Sequence, residues 1–354
     1  MNFPKKIFSG YCGDLHCQGI AVDEKNGFIY YSFTTKLIKS DLSGKIVGSV
    51  DGIIGHLGCI DYNETDGKLY GSLEFKNDAI GRGILKSLNF AELCIEDAFY
   101  CVIFDVDKID RMDMDAEKDG IMRAVYLEEV VNDFNSKSVV GGKEWNHKYA
   151  CSGIDGTAWG PYWGKRYGKQ YLNICYGVYG NADREDNDYQ VILTYDAADW
   201  WDTVACPLNQ LNMHRSGAAS VAKNFLFTGS TVYGIQNLEY DAYGGNWLAA
   251  VYCGKKDKYP NYDMFIIDGN IPPKKSVHKA YGDEISELSL LAKGECSDGI
   301  YGYRFKYGAT GMYSFGNGYY YFSQSAMDFE KGQYTNIVMY RSTNDETMPF
   351  EIVE

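Results

Sequence analysis

Two histidines and two carboxylic acids stand where short apolar runs begin or end, places where a side chain can be held rigid and still reach solvent. His16 lies three residues ahead of Gly19, which opens Ile20-Ala21-Val22, and His56 lies two ahead of Gly58-Cys59-Ile60. Asp155 immediately precedes Gly156, and Glu74 closes the run Leu69-Tyr70-Gly71-Ser72-Leu73. Two kinds of chemistry fit this set. Glycoside hydrolysis needs two carboxyl groups, one as proton donor and the other as nucleophile or base; Asp155 and Glu74 are the first candidates, with Asp61 and Glu239 behind them. Elimination needs a base such as imidazole, which titrates near neutral pH, and a cation to neutralise a substrate carboxylate. His16 and His56 could supply that base. A lone histidine is more often structural, but two at matching places in a pattern strengthen the chemical reading.

Other polar residues share those places. Gln18, Gln236 with Asn237, and Thr310 sit beside the same openings, where packing alone would accept Ala, Val or Ser. The plainer reading is that they bond backbone groups and ordered water. Four charged segments, Glu74 to Asp78, Asp183 to Asp188, Lys255 to Tyr259 and Ser323 to Asp328, are expected to be loops on the same face, where function concentrates. They add Lys76, Arg184, Lys255 and Gln324 as ligand contacts. Tyr31, Tyr176, Tyr179, Tyr252 and Trp159 offer flat apolar faces with polar edges, suited to sugar rings. Aromatics also pack between sheets, so about two of these five, Tyr179 first, are expected to meet a ligand.

What brings such residues together is a repeat, and repeats at long period decide the fold. Five segments share a Gly or Asn, a short apolar stretch, a glycine-containing turn, and an aromatic-rich strand. They begin at Gly19, Gly58, Gly156, Asn237 and Gly311. The turns contain Asn26-Gly27, Asp66-Gly67, Gly244-Gly245 and Gly316-Asn317-Gly318, with a longer connection in the third unit. Glycine supplies the positive φ that hairpin turns need. Further strand-like runs follow each hairpin, among them Lys36 to Ser40, Tyr100 to Asp105, Gln190 to Tyr195, Met264 to Ile267 and Ile337 to Tyr340. Helix is expected only as a short stretch, Asp78 to Phe90.

Four strands per unit resembles a propeller blade, and the chain as a whole resembles the five-bladed β-propellers. The expected fold is therefore all-β, residues 1–354 forming one propeller of five four-stranded antiparallel blades. The long gaps between units leave six or seven blades as the alternative, and a β-sandwich as the rival architecture. Lys6-Ile7-Phe8-Ser9 is placed to pair with the last blade and close the ring. The resembled architecture is that of glycoside hydrolases, glycoside phosphorylases, calcium-dependent nucleotidases and lectins; it implies a ligand at the central mouth and assigns no residue a role. The expectation is a carbohydrate-active enzyme, a glycoside hydrolase or lyase taking a small glycoside, with a non-catalytic ligand- or protein-binding propeller as the alternative.

Composition sets limits. With 34 Lys and Arg against 48 Asp and Glu the formal charge is -14, which opposes non-specific binding to nucleic acid or an anionic membrane. The segment Met1 to Phe8 carries no apolar stretch of signal-peptide length. The ten cysteines include no C-x-x-C pair, so they read as reduced thiols in a cytoplasmic protein. A cofactor is not indicated. The acidic runs Asp105 to Asp119 and Asp183 to Asp188 offer oxygen ligands to a divalent cation such as calcium, but neither has the EF-hand spacing. Zinc at Cys12, His16 and Cys17 would lack a second ligand pair.

Overall fold

The computed structural model describes residues 3–354; Met1 and Asn2, the start of the segment read above for export, lie outside the described residues. Five sheets radiate as the blades of a β-propeller. The innermost strands are Gly19–Asp23, His56–Asn63, Cys151–Pro161, Thr231–Asp241 and Met312–Ser314. Their hairpin partners are Phe28–Phe33, Lys68–Phe75, Gln170–Val178, Asn246–Cys253 and Tyr319–Asp328. All five expected hairpins are present.

Three of the hairpin turns are built alike, and differently from the two-residue turns that Asn-Gly and Asp-Gly suggest. In blades 1, 2 and 4 the register leaves four residues in the loop, and an Asp or Asn ends the inner strand. The carbonyl of Asp23, Asn63 or Asp241 accepts from the backbone N–H of Gly27, Gly67 or Gly245. The side chains of the same three residues accept from backbone N–H groups within the loop. Only the glycine adopts positive φ, 74°, 67° and 70° in turn. A short acceptor side chain and one left-handed glycine, four residues apart, are what this loop requires.

The blades pack face to face with a separate apolar cluster in each of the five interfaces. Both faces of a blade are therefore covered, so strands such as Cys151–Pro161 and Ala98–Phe104 are buried at every residue. Near-continuous apolar runs replace the alternation of a half-exposed sheet. Tyr31 and Tyr176 belong to this packing and are fully buried.

Around the axis the inner strands approach closely. A Cβ on Gly19 would lie 2.9 Å from the Cα of Cys59, one on Gly156 3.0 Å from Ile235, and one on Gly311 2.9 Å from Ile20, while one on Gly58 would strike Asp155. Each of these contacts leads from one blade to the next. Asn237 completes the ring: its Nδ2 donates to the carbonyls of Gln18 at 2.8 Å and Ala309 at 3.0 Å. The five repeat positions thus occupy equivalent places about one axis.

The outer strands are less regular. Blade 3 carries a fourth strand, Ala222–Phe227, and then Glu284–Leu288 in parallel. Blade 4 has three regular strands, its edge finished by isolated bridges from Met264 to Tyr303 and from Ile267 to Leu290. Blade 5 is completed from both directions. Lys6–Phe8 and Phe350–Ile352 each pair with Gly332–Ser342, the ring closure expected from the first of these segments. Ser323 to Asp328 is not a loop. The hairpin ladder continues to Asp328 opposite Gly332, and Gln324 spends its amide on Tyr340.

The expected helix is Ala79–Ser87, capped by Asp78 through the N–H groups of Ile80 and Gly81; Glu128–Asn135 and Trp200–Thr203 add two more. Among the described residues no helix is long and apolar enough to cross a membrane. All ten cysteines are unpaired.

The axial amide carries a prediction. Asn237→Ala leaves two buried carbonyls without donors, so unfolding free energy from denaturant titration should fall by about 2–4 kcal/mol. A loss below about 1 kcal/mol would show that Asn237 is not a structural tie.

Candidate functional site

The leading ends of the inner strands in blades 2, 3 and 4 are irregular. Register shifts interrupt the ladders between Leu57 and Ile60, between Cys151 and Gly153, between Ile154 and Thr157, and between Val232 and Asn237. Bulges re-aim side chains, and here they turn several polar groups into one cavity of about 350 Å³ at the mouth. His16, Gln18, His56, Glu74, Lys76, Asp155 and Gln236 line it, with Tyr233 and Tyr252. That volume lies at the small end of ligand pockets.

Glu74 is the most heavily engaged group. It stands directly across the ladder from His56, and its Oε1 receives His56 Nδ1 at 3.1 Å and Lys76 Nζ at 2.5 Å. Its Oε2 accepts the backbone N–H of Ile154, from the next blade, at 3.0 Å. The carboxylate reaches that N–H because residue 153 is glycine. Gly153 has φ 123°, a conformation that suits glycine, and a Cβ there would overlap Glu74 Oε2. Burial alone would raise the Glu74 pKa, but Lys76 and His56 outweigh it and hold the carboxyl below its ordinary value.

Lys76 is equally committed. Besides Glu74 it donates to the Ser152 carbonyl at 2.7 Å and lies 3.6 Å from Asp78. Burial lowers its pKa, and the charges of Glu74 and Asp78 more than restore it, so the ammonium is held above its usual range. Of the three donors of an ammonium, one meets the Ser152 carbonyl and one the Glu74 carboxylate, while Asp78 lies beyond hydrogen-bond reach.

His56 and Asp155 are the groups left with capacity. With Nδ1 held by Glu74, the Nε2 of His56 has no hydrogen bond to any described residue. Burial opposes its protonation, yet the Glu74 hydrogen bond and the charges of Glu74 and Asp155 raise its pKa above the usual value. Asp155 receives only the backbone N–H of Cys59, at 3.3 Å. Burial is the main cause that pushes its pKa from 3.8 to about 7, offset in part by His56. His16 is shifted the other way, down, by burial and then by the charge of His56.

Other candidates lie elsewhere. Asn237 is taken up at the axis, and the Thr310 hydroxyl bonds Ser323. Arg184 is buried with its guanidinium on Asp186 and on the carbonyls of Asn146 and His147. It braces loops beside the mouth and stands in the wall of the neighbouring groove. Lys255 and Tyr179 border a neighbouring groove, and Gln324 is committed in its strand. Asp61 and Glu239 stand further along their inner strands, accepting from Trp159 N and Ser314 N, and neither lines the cavity. Trp159 packs edge-on against Tyr70. Among the described residues no three His, Cys, Asp or Glu side chains are grouped to hold a metal ion. Asp105, Asp115 and Asp119 pair with lysines, arginine and backbone instead.

Sequence reasoning missed Ser152, Ile154, Gly177, Ile80 and Tyr233 in the lining. Ile80 comes from the helix after Asp78. Ser152, Ile154 and Tyr233 arrive through bulges, which no local composition marks.

No protein-family model matches the chain, and no curated protein matches it in sequence. Among solved structures, the soluble aldose sugar dehydrogenase of Escherichia coli is 9% identical, covering 94% of this chain and 98% of its own at a TM-score of 0.38. A β-1,3-galactosidase with galactodeoxynojirimycin is 10% identical over 98% of both chains, TM-score 0.39. The arabinanase Arb43A of Bacillus subtilis is 9% identical over 94% of this chain and 97% of its own, TM-score 0.36. Likeness of this degree carries no argument about activity.

The raised pKa of Asp155 has a consequence for stability. Its folded value exceeds its unfolded one, so the contribution is present in full below about pH 4 and is lost as pH rises through about 7. Asp155→Asn keeps an acceptor for Cys59 and removes the titration. Its melting temperature should exceed wild type by about 3 °C at pH 8, with the gap closing towards pH 4. A gap that does not change with pH would contradict the assignment.

Proposed function

We propose that the mouth cavity binds and hydrolyses a small glycoside by proton transfer between His56, Asp155 and substrate. The observation that carries this reading is the joint presence, in one cavity, of an imidazole anchored through Nδ1 by Glu74 and a carboxyl group held near neutrality. Catalytic acids and bases work best with pKa values near the working pH, and a pair shifted together in a cleft is the usual mark of such a site.

The roles follow from what each group has left. Glu74 has both oxygens engaged, which argues against a covalent glycosyl intermediate on it and against the two-carboxylate retaining scheme. His56 Nε2 takes a proton from water while the water oxygen bonds the anomeric carbon. The bond to the leaving oxygen breaks as Asp155 protonates it. Lys76 is the only Lys or Arg in the lining among the described residues, and its charge is already balanced by Glu74 and Asp78, so a substrate carboxylate would compete with two protein carboxylates for it. This favours hydrolysis over elimination. Gln18 and Gln236, whose Nε2 groups donate to the Thr34 hydroxyl at 3.2 Å and the Tyr233 carbonyl at 3.0 Å, offer their amide oxygens as acceptors for hydroxyl groups, and Tyr252 offers a ring face.

One proton shared by His56 and Asp155 is the working state, and its two arrangements are indistinguishable by pH dependence. Activity should therefore follow a bell around neutrality, and Asp155→Asn should remove one limb. Assayed on nitrophenyl glycosides and natural disaccharides, His56→Ala and Asp155→Asn should each lower kcat by about a hundredfold or more. An ultraviolet-absorbing unsaturated product would identify elimination instead. Sugar binding without turnover in wild type would identify a binding protein and overturn the catalytic reading.

A further inference from the structure

Beside the mouth, a groove of about 490 Å³ runs between the loops that follow Val178 and precede the axial stretch of blade 4. Tyr233 lines both spaces, so the groove and the cavity share a wall. Trp145, His147, Tyr179, Asn181 and Lys255 form the rest of its useful surface. We propose that this groove is a second sugar subsite, taking the ring linked to the one bound at the mouth, so that the ligand is an oligosaccharide of at least two units. The proposal rests on the carbohydrate reading above.

The groove is built. One side is the close contact of Gly180 with blade 4, where a Cβ would lie 2.9 Å from Val232 Cγ2 and 3.0 Å from the Thr231 carbonyl, so a larger residue would push the two walls apart. Trp145 stands on the hairpin of Lys137–Val140 and Lys143–Asn146. Its ring is flanked by Lys143 Nζ at 3.9 Å and by the Arg184 guanidinium at 5.1 Å. Arg184 also ties down the Asn146 and His147 carbonyls, which makes the wall rigid before any ligand arrives. Tyr179 is oriented by the bond from its hydroxyl to Asp78, at 2.9 Å.

Two wall residues hold strained backbone. His147 has φ 64° and Tyr233 φ 65°, the left-handed region that non-glycine residues enter rarely and that collects at ligand sites. Tyr233 nevertheless keeps a large ring there, 39% exposed, at the junction of the two spaces. Glycine at 233 would suit the backbone better. A flat amphipathic face between two ring-sized spaces suits a glycosidic chain.

Calorimetric titration tests this, in the Asp155→Asn background so that cleavage does not intervene. The probes are arabinose, xylose, galactose, glucose and mannose, and the α- and β-linked disaccharides of each. At least one disaccharide should bind about tenfold tighter than its own monosaccharide. Trp145→Ala, a residue of the groove alone, should erase most of that gain while moving the monosaccharide Kd less than about twofold, and Tyr233→Gly, at the shared wall, should weaken the disaccharide more than the monosaccharide. Equal affinity for monosaccharide and disaccharide, or equal loss of both in the variants, overturns the subsite and leaves the mouth reading intact. No binding of any sugar overturns both.

Discussion

The close approach of the five innermost strands governs the rest of this molecule. Where Gly19, Gly58, Gly156 and Gly311 face the next blade, a methyl group would collide with backbone or side chain. The space this leaves is too narrow for bulky packing and too polar to be left dry, which is why an amide, Asn237, ties it across. Above that tie the strands diverge through bulges, and the divergence is the cavity. Pocket and ring are thus one geometry seen at two heights along the axis.

Within the cavity, two carboxyl groups at similar depth have opposite fates. Glu74 is compensated by an ammonium, an imidazole and a backbone N–H, and stays ionised. Asp155 has one weak backbone donor and is pushed towards the neutral acid. Environments that separate the pKa values of neighbouring carboxyls are how one site comes to hold both a fixed charge and a proton donor. The fixed charge is structural in a specific sense. A buried Lys76 without Glu74 would be an uncompensated ion, a loss on the order of 3–5 kcal/mol, so the dyad's orientation is held by the stability of the fold around it.

The fold was legible because its signal recurs. Five openings of Gly or Asn before an apolar stretch, most with a glycine turn after them, pointed to five blades, although the long gaps between units left room for six or seven. His16, Gln18, His56, Asp155 and Gln236 could be placed together because inner strands of a ring must converge, and Glu74 because it closes the second strand of blade 2; its pairing with His56 across the ladder was not legible. The misses have physical causes. Arg184 was read as a ligand contact since charged loops often are, but whether a guanidinium faces solvent or its own loop depends on partners remote in sequence, here the carbonyls of Asn146 and His147. Gln324 was placed in a loop because a hairpin that overruns its blade has the polar composition of a loop. Tyr233 escaped notice because its place at the rim depends on a left-handed backbone and a bulge.

The clasp on Gly332–Ser342 bears on how the chain reaches this state. Ile7 pairs with Ile337, a contact that closes nearly the whole chain into one loop and cannot form until the last blade exists. Loop closure of that span is entropically unfavourable though only logarithmically so, and contacts remote in sequence slow folding. During synthesis the Lys6–Phe8 strand can therefore find this partner only once Gly332–Ser342 has been made. Its shortness and the lysines at its start, Lys5 before it and Lys6 within it, suit that delay, since short charged edges resist pairing with the wrong partner.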